Sequence, residues 1–579
     1  MFSLKRAAAR LPLLFLLFTC AARAQPAQPS AAGVPPASTA VARQFIISTA
    51  HPLATEAGRA MLKRGGAAID AAIAAQLVLN LVEPQSSGIG GGAFLLHYTA
   101  EGEVLTTYDG RETAPAAAKP ERFIGADGRA LEFLDAVVGG KSVGVPGVLR
   151  ALDLAHRRHG NLPWPVLFEP AIRLANDGFR LSPRLHSLLT RIRLPGRDKH
   201  MRSLYYLPDD TPKPIGTLLK NPQLGATFKR IAESGADDFY DGEIARAMVD
   251  AVHAAANPGD LSLEDLADYQ AKERAPVCGT YRQWKICGMP PPSSGGIAVL
   301  QTLGILQALA PDRLTSDPVR AAHLVAEAER LVYADRDRYL ADDDFEPVPA
   351  SGLLDPAYLA RRAALISEQR SIGRAQPGTP QGAQLGRLAD DASPEYQSTS
   401  HLSVVDAAGN AVSMTTSIEF AFGSQQTTRG FLLNNTLTDF SFLPKQDGKP
   451  VANRIEPGKR PRSAMSPTMV FDQSGQLVML LGSVGGSAII NHVVKTLVAA
   501  LDWNMDLQHA INLPNFGNRN GPTELERGTT AASWAAQLEA LGHEVRIIEM
   551  ASGLHGIQRV RGGWRGAADP RREGVATHD

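Results

Sequence analysis

The chain has 579 residues, 44% hydrophobic and 20% charged, a composition that supports a large buried core and excludes wholesale disorder. The 59 lysines and arginines balance the 59 aspartates and glutamates, so the net charge provides no long-range attraction to nucleic acid. Three cysteines are too few for a disulfide-built scaffold or a zinc module of paired Cys-x-x-Cys motifs.

The first 24 residues have the layout of a cleaved export signal. Three basic residues, Lys5, Arg6 and Arg10, precede an apolar run at 11–18. A triplet with small residues at its first and third positions, 22–24, follows before Gln25. The apolar run is too short to remain as a membrane span, and no other stretch approaches about 20 uninterrupted apolar residues. The sequence therefore predicts an exported protein, periplasmic or secreted, with no membrane span.

The three cysteines leave two questions open. Cys20 supports an alternative in which the protein is a lipoprotein, because residues 17–20 resemble a lipobox, although Phe18 and Thr19 are bulkier than that motif expects. Cys278 and Cys287 flank the strand-like segment 279–286. An oxidising compartment would allow these two to pair, and two buried thiols are the alternative.

The first part of the mature chain changes from a disordered lead-in to helices. Residues 25–40 are rich in Pro, Ala and Ser without an apolar period, whereas 54–64 and 69–81 have the spacing of helices. The glycine-rich run 86–92 then leads into a strand at 93–96. A phosphate-binding loop would lie between a strand and a helix, so we interpret these glycines as allowing close backbone packing beside a site.

The remainder of the chain contains a helical region, a polar strap and a strand region. Residues 148–366 are mainly helical in period, with helices predicted at 297–309 and 318–340. The segment 371–397 has hardly any large apolar residue, which predicts a mobile strap. After it, strands are predicted at 402–406, 411–416, 430–433, 469–471 and 477–481, and helices at 489–501, 507–513 and 531–541. This order favours a sheet covered on both faces.

A Gly-x-Ser-x-Gly pattern at 140–144 would nominate a serine hydrolase. The nucleophile of such enzymes lies on a sharp turn from a buried strand into a helix. Here an extended segment continues through 143–147 before a helix begins, so we interpret the pattern as a chance match.

The junction between the strap and the strand region suggests a different chemistry. A hydroxyl residue, Thr399, opens a buried strand directly after a polar strap, as a self-cleaving precursor requires. If the bond between Ser398 and Thr399 is cut, Thr399 gains an α-amine with a pKa of about 7.7–8.0, near enough to neutral to act as a base for its own hydroxyl. Taken alone, a plain Thr at a strand start is the simpler interpretation.

Surrounding motifs favour the catalytic interpretation. The segment 399–406 resembles the small-subunit start of the γ-glutamyltransferase (γ-glutamyltranspeptidase) family, a member of the N-terminal nucleophile hydrolase superfamily. Further blocks match that family in order over nearly all of the mature chain: 65–72, 86–92, 111–115, 145–147, 290–296, 409–412, 433–435 with 439–440, 457–461 with 465–468, and 482–487. Their number and order make the resemblance far more specific than any one motif.

The resemblance implies an α+β fold, the four-layer αββα sandwich, built jointly by a large subunit, 41–398, and a small subunit, 399–579. It implies that Thr399 is the nucleophile and that the backbone N–H groups of Gly485 and Gly486 form the oxyanion hole. It also implies that Arg111 binds the substrate α-carboxylate, as a planar guanidinium can bind both oxygens. Asp439 matches the partner of the α-ammonium.

Other positions depart from the family pattern. Ser417 replaces a Thr that hydrogen-bonds the nucleophile, and Glu419 replaces the commoner Asn, although some bacterial relatives have Glu. Thr436 stands where Gln or Glu helps to hold the α-amino group, and Ser463-Ala464 has one hydroxyl where the family often has two. The lid-loop region, 442–456, is shorter than in some bacterial members, which favours a more open acceptor side.

The resemblance therefore implies a self-processing enzyme that transfers a γ-glutamyl group from a glutathione-like donor to water, an amino acid or a peptide. This chemistry uses a hydroxyl, an amine and backbone dipoles, so neither a metal nor an organic cofactor is expected. A related glutaryl or cephalosporin acylase is the first alternative. The second alternative is an exported binding protein of the same fold that is neither processed nor active.

Overall fold

The computed structural model describes residues 41–579 except 193, 310–313, 315–316, 385, 394–395 and 397. The predicted signal peptide, 1–24, and lead-in, 25–40, lie outside the described residues. Each helix in the described ranges is too short or too polar to cross a lipid bilayer.

A seven-stranded antiparallel sheet carries the start of the predicted small subunit at its centre. Its order is β22 (Val575–His578), β1 (Ile46–Thr49), β9 (Ser400–Val405), β10 (Ala411–Ser417), β2 (Gly92–Thr99), β3 (Val104–Gly110) and β6 (Lys272–Arg274). Side chains of a strand alternate between its two faces, and both faces of β9 are buried. Leu402 and Val404 pack into one core cluster and Val405 into the other.

A six-stranded antiparallel sheet lies against the first. Its order is β21 (Gly563–Ala568), β20 (His555–Val560), β16 (Leu477–Gly482), β15 (Thr468–Phe471), β8 (Trp284–Gly288) and β7 (Val277–Tyr281). Strands β9 and β10 pack on β16 and β20. The core between the sheets includes Phe94, Val405, Leu480 and Ile557.

Helices cover the outer face of each sheet, which completes the four-layer αββα sandwich. On the seven-stranded sheet α1 and α2 share a core with β9 and β10, and on the six-stranded sheet α12 and α16 pack on β7, β8 and β16. The helices are α1 (Pro52–Lys63), α2 (Ala68–Val82), α3 (Phe133–Val137), α4 (Val148–His159), α5 (Trp164–Asp177), α6 (Pro183–Arg191), α7 (Lys199–Tyr205), α8 (Pro222–Ser234), α9 (Asp237–Tyr240), α10 (Glu243–Ala254), α11 (Leu263–Ala267), α12 (Gly295–Ala308), α13 (Pro318–Tyr339), α14 (Ala350–Leu353), α15 (Pro356–Ala363), α16 (Ala488–Leu501), α17 (Leu507–Asn512) and α18 (Ala535–Ala540).

Smaller sheets lie outside the sandwich. They are β4 (Phe179–Arg180) with β5 (Leu218–Leu219), β11 (Thr427–Thr428) with β12 (Phe431–Leu432), β13 (Lys445–Gln446) with β14 (Lys449–Pro450), and β17 (Phe516–Asn518) with β18 (Thr523–Glu526) and β19 (Val545–Ile548). The β13–β14 hairpin occupies the predicted lid-loop region, 442–456.

The predicted helices at 54–64, 69–81, 297–309 and 318–340 are confirmed within two residues at each end. The single strand-like segment 279–286 was wrong, because Arg282 has φ +54° and turns the chain into the β7–β8 hairpin. That hairpin places Cys278 opposite Cys287, and the two form a disulfide. The helix predicted at 531–541 divides into a 3₁₀ turn and α18.

The described part of the strap, 371–397, contains no helix or strand and is held by side chains of the sandwich. Ser371 Oγ donates to Glu327 at 2.7 Å, and the Gly378 N–H donates to Asp335 at 2.6 Å. The strap therefore runs over α13 toward Thr399.

Candidate active site

Thr399 immediately precedes β9, and the neighbouring strand β10 brings Ser417 to it. Its hydroxyl contacts the carbonyl oxygen of Ser398 and lies 3.5 Å from Ser417 Oγ. Ser417 is the last residue of β10 and donates to the same Ser398 carbonyl at 3.3 Å. Thr399 itself is 3% exposed. The predicted nucleophile, its predicted hydroxyl partner and the predicted scissile carbonyl therefore meet at one buried point.

A glycine turn after β16 brings Gly486 to this region. Gly485 has φ +126° and Gly486 has φ +59°, and Gly486 lines the same pocket as Thr399. A side chain at Gly485 would be strained at this φ, so the turn requires glycine there. The turn precedes α16, whose N-terminus carries partial positive charge that favours an oxyanion.

Arg111 and Asp439 form an ion pair in the pocket although 328 residues separate them in the sequence. Arg111 follows β3 and is 1% exposed. Its Nε donates to the Pro461 carbonyl at 3.1 Å, which orients the guanidinium. The two residues predicted to bind the α-carboxylate and α-ammonium of a donor therefore lie side by side.

Glu419 is a buried carboxyl group in the same pocket. Its backbone N–H donates to Ser417 Oγ at 2.9 Å, and its side chain accepts from Asn435. Burial, reinforced by the charge of Asp439, holds the pKa of Glu419 well above its ordinary value. Glu419 therefore lies where it can bind a cation, but its carboxyl group favours the neutral form when no cation is near.

Thr436 lies behind the pocket. Its hydroxyl donates to Glu112 Oε1 at 2.7 Å, and Glu112 Oε2 lies 3.5 Å from Arg111 Nη1. Burial raises the pKa of Glu112 to about 7. Thr436 therefore supports Arg111 through Glu112. The family pattern had placed this position where a side chain helps to hold the donor's α-amino group directly.

Ser463 and Ala464 form another wall of the pocket. The Ser463 carbonyl accepts hydrogen bonds from the Ser294 N–H at 2.7 Å and from the Ser294 hydroxyl at 2.6 Å. These bonds fasten the wall to the turn before α12. The pocket is open to solvent on one side and has a small volume, about 30 Å³.

Several residues near Thr399 were not identified from the sequence. Tyr396, Arg462, Met465 and Ile489 line the pocket, and Arg572 Nη1 donates to the Thr399 carbonyl at 3.2 Å. Three signals were available: Tyr396 is the strap's single aromatic residue, Arg462 adjoins the matched block 457–461, and Met465 opens the matched block 465–468. Arg572 and Ile489 had no such signal.

The structure bears on two motifs that were interpreted as non-catalytic. Ser142 lies in a 3₁₀ turn and donates to the Val137 carbonyl at 2.6 Å, so it is not a strand-to-helix nucleophile. In the glycine-rich run, a Cβ on Gly90 would lie 2.1 Å from the Leu432 carbonyl oxygen, and one on Gly91 would lie 2.2 Å from that of Ser417. The close-packing interpretation of this run is therefore confirmed.

Two groups of described residues have the side chains to hold a metal ion. One is His323, Glu327 and His543, and the other is Asp342, Asp343 and Asp344. Neither group lines the Thr399 pocket. In the first group the two imidazoles already bond each other, with 2.7 Å between His323 Nδ1 and His543 Nε2.

Residues 54–578 match the model of the family described as Gamma-glutamyltranspeptidase. A glutathione hydrolase proenzyme of Bacillus subtilis (strain 168) is 35% identical over 552 residues, covering 93% of this chain and 92% of the relative. The Acylase ACY 1 proenzyme of Pseudomonas sp. (strain SE83) is 35% identical over 522 residues, covering 88% and 89%. The crystal structure of cephalosporin acylase from Bacillus halodurans aligns with a TM-score of 0.83 at 27% identity, covering 95% of this chain and 99% of that one.

Both the family match and the structural alignment extend over nearly all of the described chain. The ordered motif blocks had predicted the same family, and the four-layer sandwich is the fold of its superfamily. The chain therefore belongs to the γ-glutamyltranspeptidase family of N-terminal nucleophile hydrolases.

Proposed function

We propose that this protein is an exported, self-cleaving γ-glutamyl hydrolase and transferase in which Thr399 is the nucleophile. A self-processing hydrolase is what the family membership supports. The observation that carries the proposal is the convergence of Thr399 with Arg111, Asp439 and Glu419 in one pocket. A hydroxyl nucleophile thus lies beside a cation and two carboxyl groups, which together complement an amino-acid head group.

Self-cleavage begins when Thr399 Oγ1 adds to the carbonyl carbon of Ser398. The C–N bond then breaks, the nitrogen takes up the proton that the hydroxyl lost and becomes an amine, and the chain is joined through an ester. Water hydrolyses the ester, which leaves a carboxylate on Ser398 and restores the Thr399 hydroxyl beside a free α-amine. The position of Thr399 and Ser398 side by side in one pocket, both buried, supports this step.

In turnover the new α-amine accepts the proton of the Thr399 hydroxyl as Oγ1 adds to the donor's γ-amide carbonyl. The Gly485 and Gly486 N–H groups stabilise the oxyanion, and loss of one such donor costs about 3 kcal/mol in the transition state. The leaving amine takes up the proton, and a γ-glutamyl ester remains on Thr399. Water then yields glutamate, or an amino acid or peptide yields a new γ-glutamyl product, so the kinetics are ping-pong.

The donor's head group determines its orientation. The Arg111 guanidinium binds the α-carboxylate, and Asp439 with Glu419 binds the α-ammonium. A glutathione-like compound presents both groups at the correct end of its γ-amide. Glutathione hydrolysis is the activity named for the Bacillus subtilis relative.

A glutaryl or cephalosporin acylase is the second candidate, favoured by specific features of the pocket. Thr436 turns away toward Glu112, Ala464 offers no hydroxyl, and Glu419 resists ionisation. Each feature weakens the binding of an α-ammonium group. A glutaryl donor has no such group. The names of the ACY 1 relative and the Bacillus halodurans structure point the same way.

Replacing Thr399 with Ala tests the nucleophile. We expect wild-type protein to give two fragments on denaturing electrophoresis, with the smaller one beginning at Thr399 by mass spectrometry. Thr399→Ala should remain a single chain without turnover, whereas Thr190→Ala, on the exposed side of α6, should behave as wild type. An uncut wild-type chain would indicate the binding-protein alternative, and cleavage of Thr399→Ala would refute the mechanism.

The donor class is tested with two anilides that differ only in the α-amino group. We expect a higher kcat/KM for γ-glutamyl-4-nitroanilide than for glutaryl-4-nitroanilide. The opposite preference would assign the protein to the acylases.

A further inference from the structure

The glycine turn, residues 484–487, joins β16 to α16 and carries the two residues proposed to form the oxyanion hole. Both of them, Gly485 and Gly486, have positive φ, and glycine restricts its own backbone less than any other residue does. An oxyanion hole works only if its donors already point at the place where charge develops. The turn therefore needs contacts that hold it in one conformation.

Tyr333 of α13 supplies such a contact. Its hydroxyl donates to the carbonyl oxygen of Ser487, the residue that directly follows Gly486. Tyr333 is only 2% exposed, and a hydrogen bond in such a buried setting is stronger than one in water. Because α13 belongs to the predicted large subunit and the turn to the small one, this bond joins the two subunits at the oxyanion hole.

The Tyr333 hydroxyl is oriented by a second acceptor. It donates to Asn491 Oδ1 at 3.1 Å, and Asn491 lies on α16 one helical turn after Ser487. The Asn491 side chain is itself fixed by β17, because its Nδ2 donates to the Asn518 carbonyl at 3.4 Å and a Cβ on Gly517 would lie 2.7 Å from it. The hydroxyl therefore has two acceptors with defined positions.

Another residue of α13 holds the helix against β17. Glu329 lies four residues before Tyr333, so both side chains lie on one face of α13. Glu329 Oε2 accepts from the Asn518 N–H at 2.8 Å, and the residue is completely buried. Tyr333 thus approaches the glycine turn from a helix that is fixed in place.

Other contacts of the turn come from the small subunit. The Val484 N–H donates to the Ser552 carbonyl at 3.0 Å, which fixes the start of the turn. At its end, Arg519 Nη1 donates to Ser487 Oγ at 3.0 Å, but the Arg519 side chain is 29% exposed. We therefore expect the buried bond from Tyr333 to constrain the end of the turn more strongly.

We propose that Tyr333 is a positioning residue for the acyl transfer: its hydroxyl holds the Ser487 carbonyl and so fixes the direction of the Gly485 and Gly486 N–H groups. The inference rests on the proposed function, which assigns these N–H groups to the oxyanion hole. Tyr333 lies outside the Thr399 pocket. Loss of its hydroxyl therefore weakens binding of the transition state and leaves binding of the donor unchanged.

Tyr333→Phe removes the hydroxyl and keeps the ring. We expect kcat for γ-glutamyl-4-nitroanilide to fall about tenfold, a part of the roughly 100- to 1,000-fold that complete loss of an oxyanion donor costs, and KM to change by less than about twofold. Tyr339→Phe is the matched control. Tyr339 lies on the same helix, is 5% exposed, and donates to the Gly378 carbonyl of the strap at 2.7 Å. Its variant should keep the wild-type kcat.

A second readout compares a tetrahedral adduct with a planar ligand. In the boronic acid analogue of glutamate, B(OH)₂ replaces the γ-carboxyl group. Thr399 Oγ1 adds to boron while the α-amine takes the hydroxyl proton, and a boronate oxygen then occupies the oxyanion position. In Tyr333→Phe we expect the inhibition constant of the boronate to rise about tenfold and that of glutamate to change by less than about twofold. A merely structural role would change both constants alike.

Equal falls of kcat in Tyr333→Phe and Tyr339→Phe, a wild-type kcat in Tyr333→Phe, or equal changes of the two inhibition constants would overturn the proposal. If Tyr333→Phe is not cleaved into two fragments, Asn491→Ala replaces it. That variant loses the amide that orients the hydroxyl, so the same selective effects should appear at about threefold.

The failure of this proposal can be distinguished from failure of the proposed function. Wild-type protein that hydrolyses only glutaryl donors would refute the γ-glutamyl assignment alone, and the glutaryl anilide with the boronic acid analogue of glutarate then tests Tyr333 in the same way. Wild-type protein inactive on both acyl groups would overturn both proposals.

Discussion

Glu419 is a residue in the pocket whose charge we expect to depend on what is bound. Without a ligand it is 6% exposed and close to Asp439, so its neutral form is favoured and its pKa is well above the ordinary range. An α-ammonium placed between the two carboxyl groups reverses that balance, because it compensates for the lost hydration of the carboxylate. If a γ-glutamyl donor binds as proposed, its binding requires release of a proton from Glu419.

The proton release predicts how donor affinity depends on pH. Below the pKa of Glu419 the carboxyl is protonated in the free enzyme, so KM for γ-glutamyl-4-nitroanilide should fall as pH rises, by up to about tenfold per pH unit. Above that pKa the KM should level off. Steady-state kinetics across pH at constant ionic strength provides the measurement.

Two controls isolate Glu419 in that experiment. Glutaryl-4-nitroanilide has no ammonium, so its KM should lack the fall with rising pH. Glu419→Gln cannot ionise, and its KM for the γ-glutamyl donor should be raised and nearly independent of pH in the same range. A pH dependence retained in Glu419→Gln would show that another group controls binding.

At the scale of elements, the glycine-rich run 86–92 sets how closely the layers approach the pocket. The run lies between α2 and β2 and touches the carbonyls of Ser417, at the end of β10, and Leu432, in β12. The Ile418 N–H in turn donates to the Ser86 carbonyl at 3.2 Å. The position of Ser417 beside Thr399 therefore depends on a segment that contributes no side chain to the chemistry.

Gly91→Ala tests that dependence. Its Cβ would lie 2.2 Å from the Ser417 carbonyl oxygen, so the end of β10 must shift. A displacement of about 1 Å can cost about 100-fold in rate, and we expect a loss of that order in kcat/KM together with slower self-cleavage. Gly125→Ala is the control, because its nearest neighbour is the carboxylate end of Asp127, an exposed side chain. Wild-type activity in Gly91→Ala would contradict this account of the glycine run.

At the scale of the whole molecule, the predicted large and small subunits are interleaved within both sheets. In the seven-stranded sheet β1 from the large subunit lies between β22 and β9 from the small subunit. In the six-stranded sheet β15 from the small subunit pairs with β8 from the large one. Cutting the Ser398–Thr399 bond removes one covalent link and leaves these ladders and their cores in place.

The interleaving predicts that the two fragments stay together after cleavage. In native size-exclusion chromatography they should elute as one species. Its mass should be that of the 61.8 kDa chain without the leader, or a multiple of that mass. They should separate only when denaturant unfolds the sandwich. Elution as two separate species in native buffer would contradict the shared-sheet arrangement.

Particular residues show how far sequence reasoning extends. Thr399, Arg111 and Asp439 were predicted because each lies in an ordered family block, and the structure brings all three to one pocket. Tyr396 and Arg572 were missed because their positions depend on how the strap and the C-terminal segment fold back onto β9. Strands β17 to β22 were also missed, since short strands in a glycine-rich segment have little alternation to detect.

The sequence by itself determined the family, the long helices such as α2 and α13, and the strand that begins after Thr399. These features depend on local period and on motifs, which are legible one segment at a time. Only the tertiary structure decided that Arg111 meets Asp439, that Thr436 turns toward Glu112, and that Arg519 contacts Ser487. Such contacts join segments far apart in the chain, and their geometry follows from how sheets and helices pack together rather than from any local pattern.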